Sequence, residues 1–330
     1  MGGAQNNHAQ KLLFQCFLLF ILVVSSNSFF AIECQDTIIV HQDGSGDYTT
    51  IRAAVNAALS GDVIYIHSGV YEEDAIFINT SLTLTGENIH STIISGGGET
   101  TIFVVNADQV TISGLTITGG GGNLGQNIDI AADDCIISNN IITLNDDVGI
   151  AIHNSSNSLI ESNVIRDCPF AAIRIYNTIQ SNTIKDNQIS DCISGIYVYN
   201  AQNQKIEQNL VSGCSKGIYL EECTNNLVTH NQIFNNSQGM FVSYAKNNRI
   251  TENNFITNEE QAKFNTWLSP TGLQISKWNK NYWDDSLTFF PKYIPGIMFI
   301  RTYNPLGIFI PWASFDWHPA KESFEIDKDI

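Results

Sequence analysis

Short apolar triplets recur along the chain, most of them opened by asparagine: Asn140-Ile141-Ile142, Asn163-Val164-Ile165, Asn187-Gln188-Ile189, Asn209-Leu210-Val211, Asn231-Gln232-Ile233 and Asn254-Phe255-Ile256. The spacing is 22 to 24 residues. A second column keeps step through Gly149-Ile150, Ala172-Ile173, Gly195-Ile196, Gly217-Ile218 and Gly239-Met240, and a third through Ile137, Ile160, Ile184, Ile206, Val228 and Ile250. Three short strands per repeat, parted by Asn, Ser, Gly and Asp turns, describe one three-sided coil. The pattern predicts an all-β chain folded as a right-handed, single-stranded parallel β-helix of about ten coils from Thr37 to Ile256.

The residue choices follow from that geometry. Alternate side chains of a strand point inward, so Ile150 and Ile152 belong to the core while Ala151 and His153 face out. Coils stacked about 4.8 Å apart align equivalent residues into ladders, and each buried Ile or Val contributes roughly 1.5 to 3 kcal/mol. The Asn column fits corners that need a left-handed backbone and amides that bond to neighbouring coils. Cys168, Cys192 and Cys214 each follow their repeat Asn by five residues and form a further ladder. It reads as a buried thiol stack, with a soft-metal site as the alternative and no bridge assigned.

The ends depart from the repeat. Within YTTIRAAVNAAL, residues 48–59, Ile51, Ala54, Val55 and Ala58 share one helical face and Gly61 stops the helix, which predicts a cap on the first coil. After Asn258 the repeat is lost, and all five Trp and six of the seven Pro lie beyond it. The expected division is a β-helix with its cap over 37–258 and an irregular Trp- and Pro-rich cap over 259–330. At the N-terminus, Lys11 precedes an apolar run from Leu12 to Val24 and then small residues at Ser26 and Ser28. Residues 1–28 therefore read as a secretory signal, with an uncleaved membrane anchor as the alternative. Either places the body outside the cytoplasm, secreted, periplasmic or attached to the cell surface. The stretch from Phe289 to Trp312 carries Lys292, Arg301 and several prolines and is not expected to span a bilayer.

Charge narrows the partners. The formal charge of −17 and pI near 4.6 oppose binding to nucleic acid or anionic lipid. A polyuronate would be repelled too, unless Ca²⁺ or a local basic patch bridged it, whereas a neutral glycan meets no such barrier. The cysteines show no CxxC pair and no zinc spacing, and sequons at Asn79, Asn154 and Asn235 permit glycosylation.

The segment from Asp43, DGSGDYTTIRAAVNAALSGDVIYIHSGVYEEDAIFINTSLTLTGE, resembles the opening of the pectin-lyase-like superfamily, including pectin methylesterases. The repeats from about Val110 resemble those of NosD-like and carbohydrate-binding or sugar-hydrolase β-helix proteins. WNKNYWDD from Trp278 and FDWHPAKE from Phe315 are similar to the ends of NosD-like surface proteins. Together these resemblances imply the fold, on a scaffold that hosts many activities. Gly69-Val70-Tyr71-Glu72-Glu73 fits the G-x-Y-x-E element of pectin methylesterases, yet the paired catalytic Asp segments of that family have no counterpart. The polygalacturonase constellation is missing as well, and Asp133-Asp134 and Asp146-Asp147 fall at different corners as turn residues. The NosD resemblance implies a role in copper-site maturation. The His residues at 41, 67, 90, 153, 230 and 318, however, share no ladder in this register and no Met-rich motif accompanies them, so no metal site is assigned.

One outward face carries candidate chemistry. One column reads Asp129, Ala151, Arg174, Tyr197, Tyr219 and Phe241, and the next Ala131, His153, Tyr176, Tyr199, Glu221 and Ser243. Aromatic stripes with polar margins suit a polysaccharide or cell-surface glycan, and they also stabilise a sheet without any ligand. The expected function is carbohydrate binding through Arg174, Tyr176, Tyr197, Tyr199, Tyr219, Glu221 and Phe241, with no complete catalytic motif. The alternatives are a polysaccharide lyase, hydrolase or epimerase using His153, Arg174, Tyr176 or Tyr199 as acid or base, a copper-maturation accessory, and a structural surface protein.

Overall fold

The computed structural model describes residues 36–122, 125–269, 272–273, 275–286, 290–300 and 308–326. The leader or anchor expected over residues 1–28, and Cys34, lie outside the described residues. The body is a right-handed parallel β-helix of about ten turns with a single helix. One strand per turn forms a ten-stranded parallel sheet, and the other two sides merge into a larger one. Among the described residues no helix is long and apolar enough to cross a membrane.

The ladders run as the sequence pattern requires. Ile150, Ile173, Ile196, Ile218 and Met240 are successive neighbours, all fully buried. Ile137 to Ile250 stack in the same way on the adjoining side. The glycines beside the first row are set by close approach, since a Cβ on Gly217 would lie 2.5 Å from the carbonyl oxygen of Gly239.

The asparagine column is a continuous buried ladder. The backbone N–H and side-chain amide of Asn187 both donate to Oδ1 of Asn209, each at 3.0 Å, and the amide also donates to the carbonyls of Ile160 and Lys185. The unit repeats from Asn140 through Asn163, Asn187, Asn209 and Asn231 to Asn253 and Asn281. Two expectations need correction. The ladder member in the last repeat is Asn253, because Gln232 pairs with Asn254, whose side chain instead bonds the backbone of Phe324. The left-handed residue at the corner is the one before each Asn, namely Ser162, Asp186, Gln208, His230 and Glu252, with φ between 53° and 58°. The Asn itself is spent on hydrogen bonds. A second buried ladder, through Asn182, Gln204, Asn226 and Asn248, has the same logic.

At the N-terminal end the helix Ile51–Ala57 buries Ile51, Ala54 and Val55. Glu73 caps its N-terminus, its two carboxylate oxygens accepting from the N–H groups of Ile51 at 2.7 Å and Arg52 at 2.9 Å. Tyr71 is buried and its hydroxyl donates to the carbonyl of His67 at 2.9 Å. The Gly69–Glu73 element thus serves the cap.

Beyond Asn258 the sequence repeat fails but the stack continues, which corrects the expected end of the β-helix. Glu260–Ser269, Lys277–Asn279 and Tyr282–Trp283 pair in parallel with the three strands before them, Trp278 stacking on Ile250 and Trp283 on Phe255. Large aromatics replace Ile because a final rung must cover the open end of the core. A hairpin of Lys292–Ile300 and Ile308–Asp316 completes the chain's last sheet. Its final residue, Asp316, is fully buried and ends the Asn ladder. Its carboxylate accepts from the N–H of Lys280, Asn281 and His318, from the Asn281 amide at 3.0 Å and from the Trp283 indole at 3.2 Å.

Three outcomes test this architecture. Ile196→Asp buries an unpaired carboxylate between coils and should cost about 3 to 5 kcal/mol, read as loss of the cooperative transition in thermal circular dichroism; near wild-type stability would remove Ile196 from the core. Asp316→Asn places amide hydrogens against donors, and we expect roughly 1 to 3 kcal/mol of destabilisation, with the exposed Glu322→Gln as an unchanged control. Because Tyr71 and Glu73 are committed to the cap, methanol release from pectin should not exceed that of heat-inactivated protein.

Candidate functional site

The two outward columns are aligned across adjacent strands. Asp129, Ala151, Arg174, Tyr197, Tyr219 and Phe241 are neighbours in one row. His153, Tyr176, Tyr199, Glu221 and Ser243 form the next. The long strands Val148–His153, Ala171–Tyr176, Ser194–Tyr199, Lys216–Glu221 and Gln238–Ser243 carry them, so period-two alternation sets each side chain outward.

Outward does not mean free. Tyr197 is only 8% exposed and Ala151 is fully covered, because Val148, Ala151, Ala171 and Tyr197 form a small apolar cluster of their own, flanked by Phe170. Tyr197 stacks on Tyr219 with centroids 4.8 Å apart, and Tyr219 on Phe241 at 5.1 Å, both nearly parallel. The coil rise brings the rings face to face along the axis, so their faces are spent on one another and their edges point outward. The face-to-face contact of Tyr197 with Tyr219 and of Tyr219 with Phe241 thus occupies ring faces within the row. The Tyr197 hydroxyl donates to Glu221. Burial first, then that carboxylate, pushes the Tyr197 phenol far above its ordinary value. Tyr219 moves the same way for the same reasons, and burial raises Tyr176, with Asp129 adding to it.

Polarity gathers at one end of the face. His153 Nε2 lies 3.3 Å from the Asp129 carboxylate, and the imidazole stacks on Tyr176 at 5.0 Å. The Arg174 guanidinium sits 4.5 Å from the Tyr176 ring centre, 5.5 Å from Phe170 and 6.0 Å from Tyr197. Burial holds the nearby Asp147 carboxyl above its ordinary range, against the pull of Arg174. Among the described residues Gln126 Oε1 and Arg174 Nε are buried here without a hydrogen-bond partner, and Asp129 Oδ1 has only the His153 imidazole beside it. Native structures seldom leave such atoms unpaired.

The sequence reading missed Phe170, Gln126, Asp147 and Lys216. Lys216 Nζ lies 4.1 Å from the Tyr219 ring centre. Phe170 occupies a turn where other repeats carry Ser215 or Ser237, and that departure was the available signal.

Potential metal donors are arranged differently. Cys168, Cys192 and Cys214 are buried free thiols, as expected of a stack. The neighbouring Cys192 first, then burial, pushes Cys168 and Cys214 well above the ordinary thiol range. They stand in file, one per coil. The expectation that no two histidines share a ladder fails for His41 and His67, whose rings are 4.7 Å apart because Val40 pairs with Ile66 on the strands just before them. Each is engaged by a carboxylate, His41 by Asp43 and His67 by Glu87. Among the described residues no three His, Cys, Asp or Glu side chains converge on one point.

Comparison with known proteins places this geometry. Residues 134–284 match the right handed beta helix region, and residues 31–204 match the periplasmic copper-binding protein (NosD) family. Segments of Arabidopsis thaliana pectinesterases are similar. Probable pectinesterase/pectinesterase inhibitor 17 is 40% identical over 75 residues, covering 21% of this chain and 15% of that protein. Putative pectinesterase/pectinesterase inhibitor 38 is 44% identical over 70 residues, 18% of this chain and 14% of that one. The chain thus spans about a seventh of the length of these relatives. Among solved structures, XylC in complex with xylose has a TM-score of 0.59 at 13% identity, over 75% of this chain and 71% of that one. Pectate lyase Pel9A has a TM-score of 0.54 at 13% identity, over 79% and 84%. At such identities the likeness is one of fold. With more than half of its length matched by the family, the chain belongs to the periplasmic copper-binding protein (NosD) family.

Proposed function

We propose that the protein works outside the cytoplasm as a carbohydrate-binding β-helix, engaging a polysaccharide or cell-surface glycan at the polar end of its outward aromatic face. The observation that carries this reading is the concentration of unpartnered polar atoms there. Gln126 Oε1 lacks a donor and Arg174 Nε an acceptor, and Asp129 Oδ1 has only the His153 imidazole beside it; Gln126 and Asp129 share one strand, and Arg174 stands two coils on. A hydroxyl is both donor and acceptor, so a sugar ring offers the mixture these groups need after small side-chain rotations. His153, Tyr176 and Arg174 fix orientation, while Tyr199 and Glu221 extend the contact along the axis and the Tyr197, Tyr219 and Phe241 stack stiffens the platform. Phenols raised by burial stay protonated, which suits hydrogen-bond donation and opposes proton abstraction. Folds of the same kind named for a xylose complex and a pectate lyase support carbohydrate as the ligand class. Copper is named in the family's description, and among the described residues no three His, Cys, Asp or Glu side chains come together that could hold it.

Glycan-array screening followed by affinity electrophoresis tests the reading. Arg174→Ala and His153→Ala should each weaken retention of the selected glycan by roughly tenfold, about the loss of one hydrogen bond. Tyr197→Ala/Tyr219→Ala should lower thermal stability by about 1 kcal/mol per lost ring pair. A neutral glycan should be held equally at low and high salt, whereas loss of binding on chelation would point to a Ca²⁺-bridged polyuronate. Equal retention by the folded Arg174→Ala/Tyr176→Ala variant and the wild type would show the face to be structural.

A further inference from the structure

The row that carries Tyr199 and Glu221 continues through Ser243 and Asn265 to Ile297 and Pro311, and its character changes along the way. Three long strands near the C-terminus, Glu260–Ser269, Lys292–Ile300 and Ile308–Asp316, lie side by side at the end of the larger sheet. On its outward side Trp267, Phe299 and Phe309 lie side by side, with ring centres 4.8 and 4.9 Å apart. The other side is built on Phe264, Ile294 and Met298, which are buried in the body. Toward the far end that second side is uncovered too. There Leu268 is 41% exposed and Ile308 51%, while Ile297 is 40% and Phe309 64% exposed on the outward side. The sheet therefore runs out of the body with apolar side chains on both faces.

Charge follows the same boundary. From Ser286 to Phe315 the sequence contains no Asp or Glu, in a chain that has 33, and its charged residues are Lys292 and Arg301. A protein partner covers one face of such an element. A second copy would add to the free edge strand, where Pro311 lacks the N–H that such pairing uses. A lipid bilayer surface solvates both faces at once, accepts Trp and Tyr at its boundary and rejects carboxylates.

We propose that the far end of this C-terminal sheet seats the protein on the surface of a lipid bilayer, inserting Ile308 and Phe309 with Leu268 and Ile297 around them. The free edge confines it to the interfacial region, since unpaired backbone groups do not cross the hydrocarbon. The acidic body makes zwitterionic lipid the preferred surface, so phosphatidylcholine should be bound at least as well as anionic lipid. The proposal is independent of the sugar site.

The tryptophans report on it directly. All five lie at or beyond position 267, and none is in the N-terminal apolar run. With the full chain and phosphatidylcholine vesicles, Trp emission should shift to the blue and be quenched by lipids brominated on their acyl chains. Ile308→Asp/Phe309→Asp alters two exposed side chains, should leave circular dichroism unchanged and should lower the vesicle partition coefficient by roughly tenfold or more; Phe309→Leu should retain binding. Three results would overturn the proposal: vesicle flotation without any change in Trp emission, an emission change equal in the double Asp variant, or a blue shift that appears without lipid and tracks dimer formation in light scattering.

Discussion

The structure depends on one hydrogen-bonded unit, the buried asparagine that holds the coil on either side of it. Each ladder Asn turns two donors toward the acceptor of the next and anchors its own amide on one carbonyl of the preceding coil and one two residues before itself. A buried amide that loses these bonds pays the full cost of desolvation, so a slip of one coil against another is penalised at every rung. The apolar ladders alone tolerate such a slip, because Ile on Ile packs much the same in several registers. Hydrophobic burial supplies the driving force, and the amides supply uniqueness.

That division of labour constrains the outer surface. When coils are locked at one rise, equivalent outward side chains are locked above one another, and aromatic rings of equal size stack on each other. The face then consists of ring edges and hydroxyls, with specificity left to positions where the column changes residue type. Arg174 ends the run of aromatic rings and Asp129 stands two coils before it in the same row, and Arg174 Nε is left without an acceptor at this break. Recognition on a ladder fold belongs to its irregularities.

The same reasoning says what the sequence could reveal. The period and the Gly-Ile and Ile columns were legible because each coil repeats the same demand on the same position, and Ile150 to Met240 fall where the spacing puts them. The adjacent Asn253 and Asn254 hid the register by one residue, since either satisfies the pattern and only the bond to Asn231 distinguishes them. The final coil was hidden because Trp278 and Trp283 satisfy the geometry with a different residue type. His41 and His67 were missed because the early coils vary in length, so ring contact there depends on strand pairing with no constant period to reveal it. At the candidate site the columns could be read, but the burial of Tyr197 could not, because it comes from Phe170 in the preceding turn.

The ladder also has a direction. Each rung donates its backbone N–H and one amide bond to the side-chain oxygen of the next coil toward the C-terminal end, so the two ends of the ladder differ chemically. At one tip stands Asp316, which has only oxygens and is already met by donors from Lys280, Asn281, Trp283 and His318. An arriving chain would find no amide there to continue the sequence of bonds. A fold whose interior invites indefinite stacking thus carries a residue that ends its own hydrogen-bonded ladder.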